Sequence, residues 1–142
     1  MLDLEQFLPY RLSVLSNQVS AGIAETYAER FGISVTEWRV IAILGRYPGI
    51  SATEVAERSA MDKVAVSRAV HRLITDNRAS RESNADDRRA KHLYLSDQGR
   101  VVFDAIAPAA LAYEQRLLEV LSEDERDQLD GLLDRLIQAS RS

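Results

Sequence analysis

Residues Ile50 to Ser96 read ISATEVAERSAMDKVAVSRAVHRLITDNRASRESNADDRRAKHLYLS, and two short helical patterns joined by a tight corner open this stretch. Ser51 is a good N-cap, and Glu54 follows three residues on, so the two can close a capping box. The helix they start is expected to run to about Arg58, with Val55 as its main apolar residue and Ala52 and Ala56 beside it. Ser59-Ala60-Met61 makes the corner, and Asp62 then caps a second helix carried by Lys63 to Asp76. At roughly 100° per residue, Val66, Val70, Leu73 and Ile74 fall on one face of that helix, with Ala69 at its edge. The opposite face shows Val64, Ala65, Arg68, His71 and Arg72, and Lys63 and Ser67 lie on its N-terminal flank. An apolar face must bury against a neighbour. A face of arginine, histidine and small residues can stay in water and offer donors. Two helices with a short corner, the second exposing donors, is the helix-turn-helix pattern.

The period then changes. Ala79 to Glu82 is short and extended, Ser83 to Asp87 is turn-like, and Lys91 to Leu95 alternates. Leu93 and Leu95 take one side of that strand, and His92 and Tyr94 take the other. This predicts a hairpin with a basic tip of Arg88, Arg89 and Lys91. A hairpin that follows a recognition helix is a wing.

The segments DKVAVSRAVHRL, Arg81 and DDRRAKHLYLSDQG, in this order and spacing, resemble the MarR family of winged-helix regulators. Asp87 and Arg89 stand at that family's aspartate-x-arginine wing signature. Leu93, Leu95, Ser96 and Gly99 stand at its leucine-rich strand and serine/threonine-x-x-glycine. The similarity in pattern extends over the flanking helices. Two departures stand out. The family usually ends its recognition helix with glycine and continues with apolar residues, whereas this chain has Asn77, Arg78 and Ala79. Asn tolerates the left-handed conformation, so the helix can still stop there. Arg78 changes what is available to pack the root of the wing.

The chain's 142 residues fit one domain with a modest core. The absence of cysteine excludes disulfides, thiolate metal sites and a cysteine redox switch, a sensing mode of part of the resembled family. No apolar run approaches the ~20 residues that span a bilayer. The start of the chain lacks the basic and apolar regions of a signal peptide, so a cytoplasmic protein without membrane contact is expected. The net charge of −4 is unevenly spread. From Arg58 to His92 there are nine Lys/Arg against five Asp/Glu, a balance of +4, while the rest has nine against seventeen, a balance of −8. A basic segment inside an acidic chain points to a localised phosphate-binding surface. Charge alone fits a solvated face equally well; the helix-turn-helix spacing favours DNA.

Before this segment, Leu8, Leu12, Leu15, Val19 and Ile23 or Ala24 recur at helical steps across residues 8–30, continuing to Tyr27, with Pro9 in the first turn and Gly32 placed to end the helix. Ser34 and Glu37 make a second capping box, followed by a densely apolar helix with Trp38, Val40, Ile41, Ile43 and Leu44 that Tyr47-Pro48-Gly49 stops. After the wing, Ser96 caps a long helix with Pro108 inside it, where a kink rather than a break is expected. Ser122 and Glu125 cap the last helix, whose stripe is Leu129, Leu132, Leu133, Leu136 and Ile137. The apolar stripes of the two terminal helices are hard to bury in one small domain. A homodimer would bury them, and the resemblance implies one in which first and last helices interlock. The expected fold is therefore mostly α with a small β hairpin (α+β): one MarR-type domain over 1–142, with a winged helix-turn-helix at about 34–95 and dimerisation helices at about 4–30 and 97–140.

DNA reading needs phosphate contacts for affinity and base-edge contacts for sequence. Arg68 and Arg72 can meet guanine O6 and N7 in a bidentate way, and Val64 or Ala65 can lie against a thymine methyl. Lys63, Ser67 and His71 suit phosphate or water-mediated contacts, with Arg88 and Lys91 adding charge at the wing. Arg89 is the expected minor-groove residue, and the resemblance implies that Asp87 orients it. The residues contain no Walker motif, no dinucleotide fingerprint and no nucleophile elbow. The two histidines, His71 and His92, lack metal-site spacing, so neither an enzyme, a cofactor nor a metal is expected. The resemblance implies a sequence-specific transcriptional regulator on double-stranded DNA. It further implies a ligand-responsive repressor, released from a palindromic operator by a small aromatic or phenolic acid-type effector. Tyr10, Arg11, Asn17 and Trp38 lie where the first two helices could line such a pocket, with Arg11 available to pair with the acid. An effector-independent architectural or constitutive DNA-binding protein is the alternative. A protein-interaction module built on the same motif fits the basic wing tip less well.

Overall fold

The computed structural model describes residues 1–83 and 91–141, and within them the chain is mostly helical with one two-stranded antiparallel ladder. After a 3-10 turn at Leu4–Gln6 come α1 (Leu8–Ala24), α2 (Ala28–Phe31), α3 (Val35–Arg46), α4 (Ala52–Ser59) and α5 (Lys63–Thr75). The ladder strands β1 (Ala79–Ser83) and β2 (Lys91–Leu95) follow, then α6 (Asp97–Leu118) and α7 (Glu123–Ser140). The chain divides into two compact units, Met1–Ala109 and Ala110–Ser142.

Helix starts are fixed by side chains. Ser34 with Glu37, Ser51 with Glu54, and Ser122 with Glu125 each close a full capping box. Each box satisfies two backbone donors that a helix start leaves without partners. The Ser122 amide also holds the Glu125 carboxyl below its ordinary pKa. Asp62 caps α5 by accepting from the Ala65 amide at 3.0 Å.

One expectation is corrected. The single helix read across residues 8–30 is two helices, α1 and α2, with a turn between them. The Thr26 and Tyr27 amides bond three residues back, to the Ile23 and Ala24 carbonyls, and the Thr26 hydroxyl donates to Ile23 O at 2.6 Å. This tightened turn brings Tyr27 inside, where it is only 1% exposed and its ring lies 6.0 Å from that of Trp38. Burying a large ring is worth more than the few helical hydrogen bonds lost, so packing overrides the continuous periodicity. Gly32 ends α2 in the left-handed conformation, at φ 63°, as its position suggests.

In the first unit, α3 is the floor. It packs against α4, α5 and β2. Val40, Ile41 and Leu44 join Val55, Val66, Val70, Leu73, Leu93, Val102 and Ile106 in one buried cluster. The helix-turn-helix corner places Ala60 at φ 52°, a conformation that costs an L-residue roughly 1–2 kcal/mol. The corner is tied down by the Met61 amide bonding to Ala56 O and by the Ser59 hydroxyl donating to Val55 O at 2.7 Å.

The root of the wing is held by backbone rather than by a large side chain. Asn77 takes φ 61° and stops α5, and the Arg78 amide bonds back to Leu73 O at 2.8 Å. Ala79, 5% exposed, fills the core position opposite Leu95. Arg78 therefore contributes its carbonyl, which accepts from the Ser96 amide at 3.0 Å, and the wing root packs without an apolar residue at that place. The Ser96 hydroxyl donates to Asn77 O at 2.5 Å and accepts from the Gly99 amide at 3.0 Å. A third segment joins the ladder at one bridge, Ile50 to Leu93, so the wing is anchored to the loop that precedes α4.

In the second unit, Arg126 donates from Nε to Leu118 O at 3.0 Å, and no residue of α7 is buried. Leu129, Leu132, Leu133, Leu136 and Ile137 are all exposed on it. Helix α6 is not broken at Pro108, which lies inside it. No helix among the described residues is long and apolar enough to cross a membrane.

Gly99 makes the closest backbone approach in the wing root: a Cβ there would collide with the Arg78 carbonyl. That carbonyl is pinned by the Ser96 amide and cannot retreat. Gly99→Ala should therefore cost about 3 kcal/mol or more, read as a drop in the chemical-denaturation midpoint.

Candidate nucleic-acid interface

Helix α5 separates its two faces as its sequence suggests. Val66, Ala69, Val70 and Leu73 are buried. Lys63, Val64, Ser67, Arg68, His71 and Arg72 are exposed, and Ala65 is half-buried. Val64 leaves 55% of its surface in water at the start of the helix, placing an apolar contact beside the cationic groups. Ser67, Arg68, His71 and Arg72 line a concavity of about 520 Å³ together with Arg81 of β1. This surface offers donors and positive charge, the chemistry that phosphate and base edges require.

Arg81 belonged to the matching sequence pattern but had no role assigned to it. Its place in the concavity follows from the antiparallel pairing of β1 with β2, in which Arg81 stands opposite Leu93. Lys91 is exposed, and its ammonium group donates to the Ser83 hydroxyl at 3.0 Å. Asp87, Arg88 and Arg89 lie outside the described residues. The basic balance of the segment is partly spoken for: Arg58 stacks over the Tyr47 ring at 4.0 Å. Arg72 Nη1 lies 3.8 Å from Glu37 Oε1, a carboxylate on α3 that is 2% exposed. Glu37 was legible as a cap, but nothing in its spacing signalled a buried acid facing the recognition helix.

The four residues read as a ligand pocket separate. Tyr10 and Arg11 line a shallow cavity of about 270 Å³ with Glu5, Val14, Leu15 and Gln18. Asn17 is exposed on α1 and does not line it. Trp38 sits between aromatic neighbours, 6.0 Å from Tyr27 and 6.2 Å from Phe103 by ring centroids. Beside it the Tyr27 hydroxyl is buried with no hydrogen-bond partner, and burial pushes its pKa up, partly offset by Arg39. No group of three or more His, Cys, Asp or Glu among the described residues is placed to hold a metal ion.

A recognition helix with a cationic outer face, a preceding helix at a tight corner and a wing define a winged helix-turn-helix regulator. A sequence model of the MarR family matches residues 31–90. The HTH-type transcriptional repressor MdtR of Bacillus subtilis is 30% identical over 114 residues, covering 80% of this chain and 74% of MdtR. The HTH-type transcriptional regulator BilQ of Clostridium symbiosum is 25% identical over 94% of this chain and 92% of its own. Among solved structures, a MarR/EmrR family regulator from Acinetobacter sp. ADP1 superposes with a TM-score of 0.89 at 27% identity, covering 99% of both chains. The PcaV regulator of Streptomyces coelicolor, in complex with its natural ligand, shares the fold with a TM-score of 0.81 at 21% identity, over 99% of this chain and 98% of that one. The chain belongs to the MarR family of DNA-binding transcriptional regulators.

Arg81→Ala removes one cation from the concavity without touching the buried face of α5. Duplex affinity should fall about equally on specific and random sequences, and the slope of log affinity against log salt should flatten by about one.

Proposed function

We propose that the protein works as a homodimer that represses transcription from a roughly palindromic operator and leaves it when a small aromatic or phenolic acid binds. The observation that carries the DNA reading is the exposed outer face of α5, with Lys63, Ser67, Arg68 and His71 in water above a buried Val66, Val70 and Leu73. In this reading Arg68 meets a guanine edge, Val64 or Ala65 packs on a thymine methyl, and Lys63, Ser67 and His71 take phosphates or waters. Arg72 reaches the same surface while turned to Glu37. At the wing, Arg89 enters the minor groove, Asp87 orients it, and Arg88 and Lys91 neutralise phosphate.

The dimer is supported by apolar surface that water does not favour. Leu4, Phe7, Leu8, Leu12 and Leu15 are exposed near the start of the chain. Leu111, Leu129, Leu132, Leu133, Leu136 and Ile137 are exposed in the second unit. Exposed apolar residues recurring along a helix mark an association surface. Two-fold symmetry then sets two recognition helices about one turn of DNA apart. An effector reading is supported by the Tyr10–Arg11 cavity, which pairs an aromatic wall with a guanidinium able to meet a carboxylate, and by the ligand held by the same fold in PcaV.

The test is a duplex titration of the parent protein with and without a panel of aromatic acids, with Arg68→Ala alongside. Arg68→Ala should lose on the order of 1–3 kcal/mol and relax base preference at one position per half-site. An unchanged Arg68→Ala would remove the recognition-helix assignment, and a panel without effect on affinity would favour effector-independent binding. Leu132→Asp with Leu136→Asp should shift sedimentation from dimer to monomer, because each would bury an unpaired charge in the interface.

A further inference from the structure

Arg72 joins two regions of different character. Its side chain is 67% exposed and lines the concavity with Ser67, Arg68, His71 and Arg81. Its Nη1 lies 3.8 Å from Oε1 of Glu37, an ion-pair distance longer than a hydrogen bond, and Glu37 is 2% exposed in the first turn of α3. Glu37 is the one buried charged residue among the described residues, and its own contacts are sparse. Oε1 accepts from the Ser34 amide at a long 3.3 Å and faces Arg72, while Oε2 has no hydrogen-bond partner. A capping box needs only a hydrogen-bonding side chain at this position, and glutamine serves as well as glutamate. A capping role therefore does not explain a buried negative charge, which is costly unless a cation compensates it. The facing cation is Arg72.

We infer that Glu37 is a positioning residue for DNA binding: it anchors one edge of the Arg72 guanidinium so that the remaining N–H groups are fixed toward a DNA phosphate at the concavity. Guanidinium is planar and carries five donors in a rigid fork, so one edge can hold a carboxylate while the other meets a phosphate. A free arginine gives up side-chain entropy when it binds, whereas one already anchored gives up less. The arrangement also ties the recognition helix to α3 at its outer face, beyond the apolar contacts on its inner face. Arg72 thus serves phosphate contact and register, leaving base reading to Arg68. This inference rests on the reading of the α5 face as the DNA surface.

Charge counting and positioning disagree in sign. Glu37→Gln removes an acid from beneath a DNA-binding surface and keeps the cap. By charge alone, binding should tighten. By positioning, Arg72 loses its fixed edge and binding weakens. The experiment measures duplex affinity and thermal midpoint for the full chain carrying Arg68→Ala, Glu37→Gln, Arg72→Ala, Arg72→Lys, and Glu37→Gln with Arg72→Ala. Glu37→Gln and Arg72→Ala should each weaken binding roughly tenfold, the size of one charge-assisted contact. The double variant should bind about as Arg72→Ala does, because Glu37 acts through Arg72. Arg72→Lys keeps the charge and loses the fork, so it should bind nearly as weakly as Arg72→Ala. Tighter or unchanged binding by Glu37→Gln, additive losses in the double variant, or full affinity in Arg72→Lys each overturns the inference. Arg72→Lys keeps a cation beside Glu37 and alters a side chain that is 67% exposed, so it decides the matter even if Glu37→Gln lowers the thermal midpoint. A loss in Arg68→Ala with none in the others would sink the inference alone. No loss in Arg68→Ala would instead sink the underlying DNA reading.

Discussion

The burial of one face of α5 against α3 is the constraint on which the first unit depends. Val66, Val70 and Leu73 have nowhere to go but the cluster that holds Val40, Ile41 and Leu44. Each such side chain contributes on the order of 1.5–3 kcal/mol on leaving water. With the helix pinned on that side, its rotation is settled. Lys63, Ser67, Arg68 and His71 must then face outward, and no further specification is needed to present them. The functional face exists because the opposite face is buried.

The wing uses a different economy. Its strands are short, and two strands alone are marginal in water. Leu93 and Ala79 bury into the core from them, and a set of main-chain and hydroxyl contacts holds the root. Ser96 bridges Asn77 O and the Gly99 amide, Arg78 O takes the Ser96 amide, and Leu93 exchanges hydrogen bonds with Gly49 and Ile50. His92 adds a ring nitrogen donating to Gly49 O at 2.8 Å. These contacts link the end of the recognition helix, the loop before α4 and the start of α6. The direction of Arg81 is fixed by the same network, because β1 begins where α5 stops.

Charge and apolar surface are placed in separate parts of the chain. The acidic excess lies outside residues 58–92, while the segment that faces the concavity is basic. A negatively charged protein can bind DNA when the positive groups are gathered on one surface and the acids are kept elsewhere. The second unit carries the apolar residues Leu129, Leu132, Leu133, Leu136 and Ile137 along a helix with no buried residue. This exposed apolar row is the surface on which the proposed dimer rests.

Local signals in the sequence determined much of this protein. Capping boxes at Ser34, Ser51 and Ser122, the cap at Asp62, the stop at Asn77 and the two-faced pattern of α5 all act within a few residues, so spacing alone reveals them. The family pattern of the recognition helix and wing was legible for the same reason. Contacts between residues far apart in the chain were not. The turn at Tyr27 exists because Trp38 offers its ring a buried neighbour, and no periodicity across residues 8–30 records that. Arg81 meets the recognition helix only once β1 has paired with β2. Tyr10, Arg11 and Asn17 belong to α1 and Trp38 to α3, and the cavity beside Tyr10 and Arg11 is lined by neither Asn17 nor Trp38. Glu37 was read as a cap and is one; that its carboxylate also faces Arg72, thirty-five positions away, was decided by the packing of α3 on α5 alone.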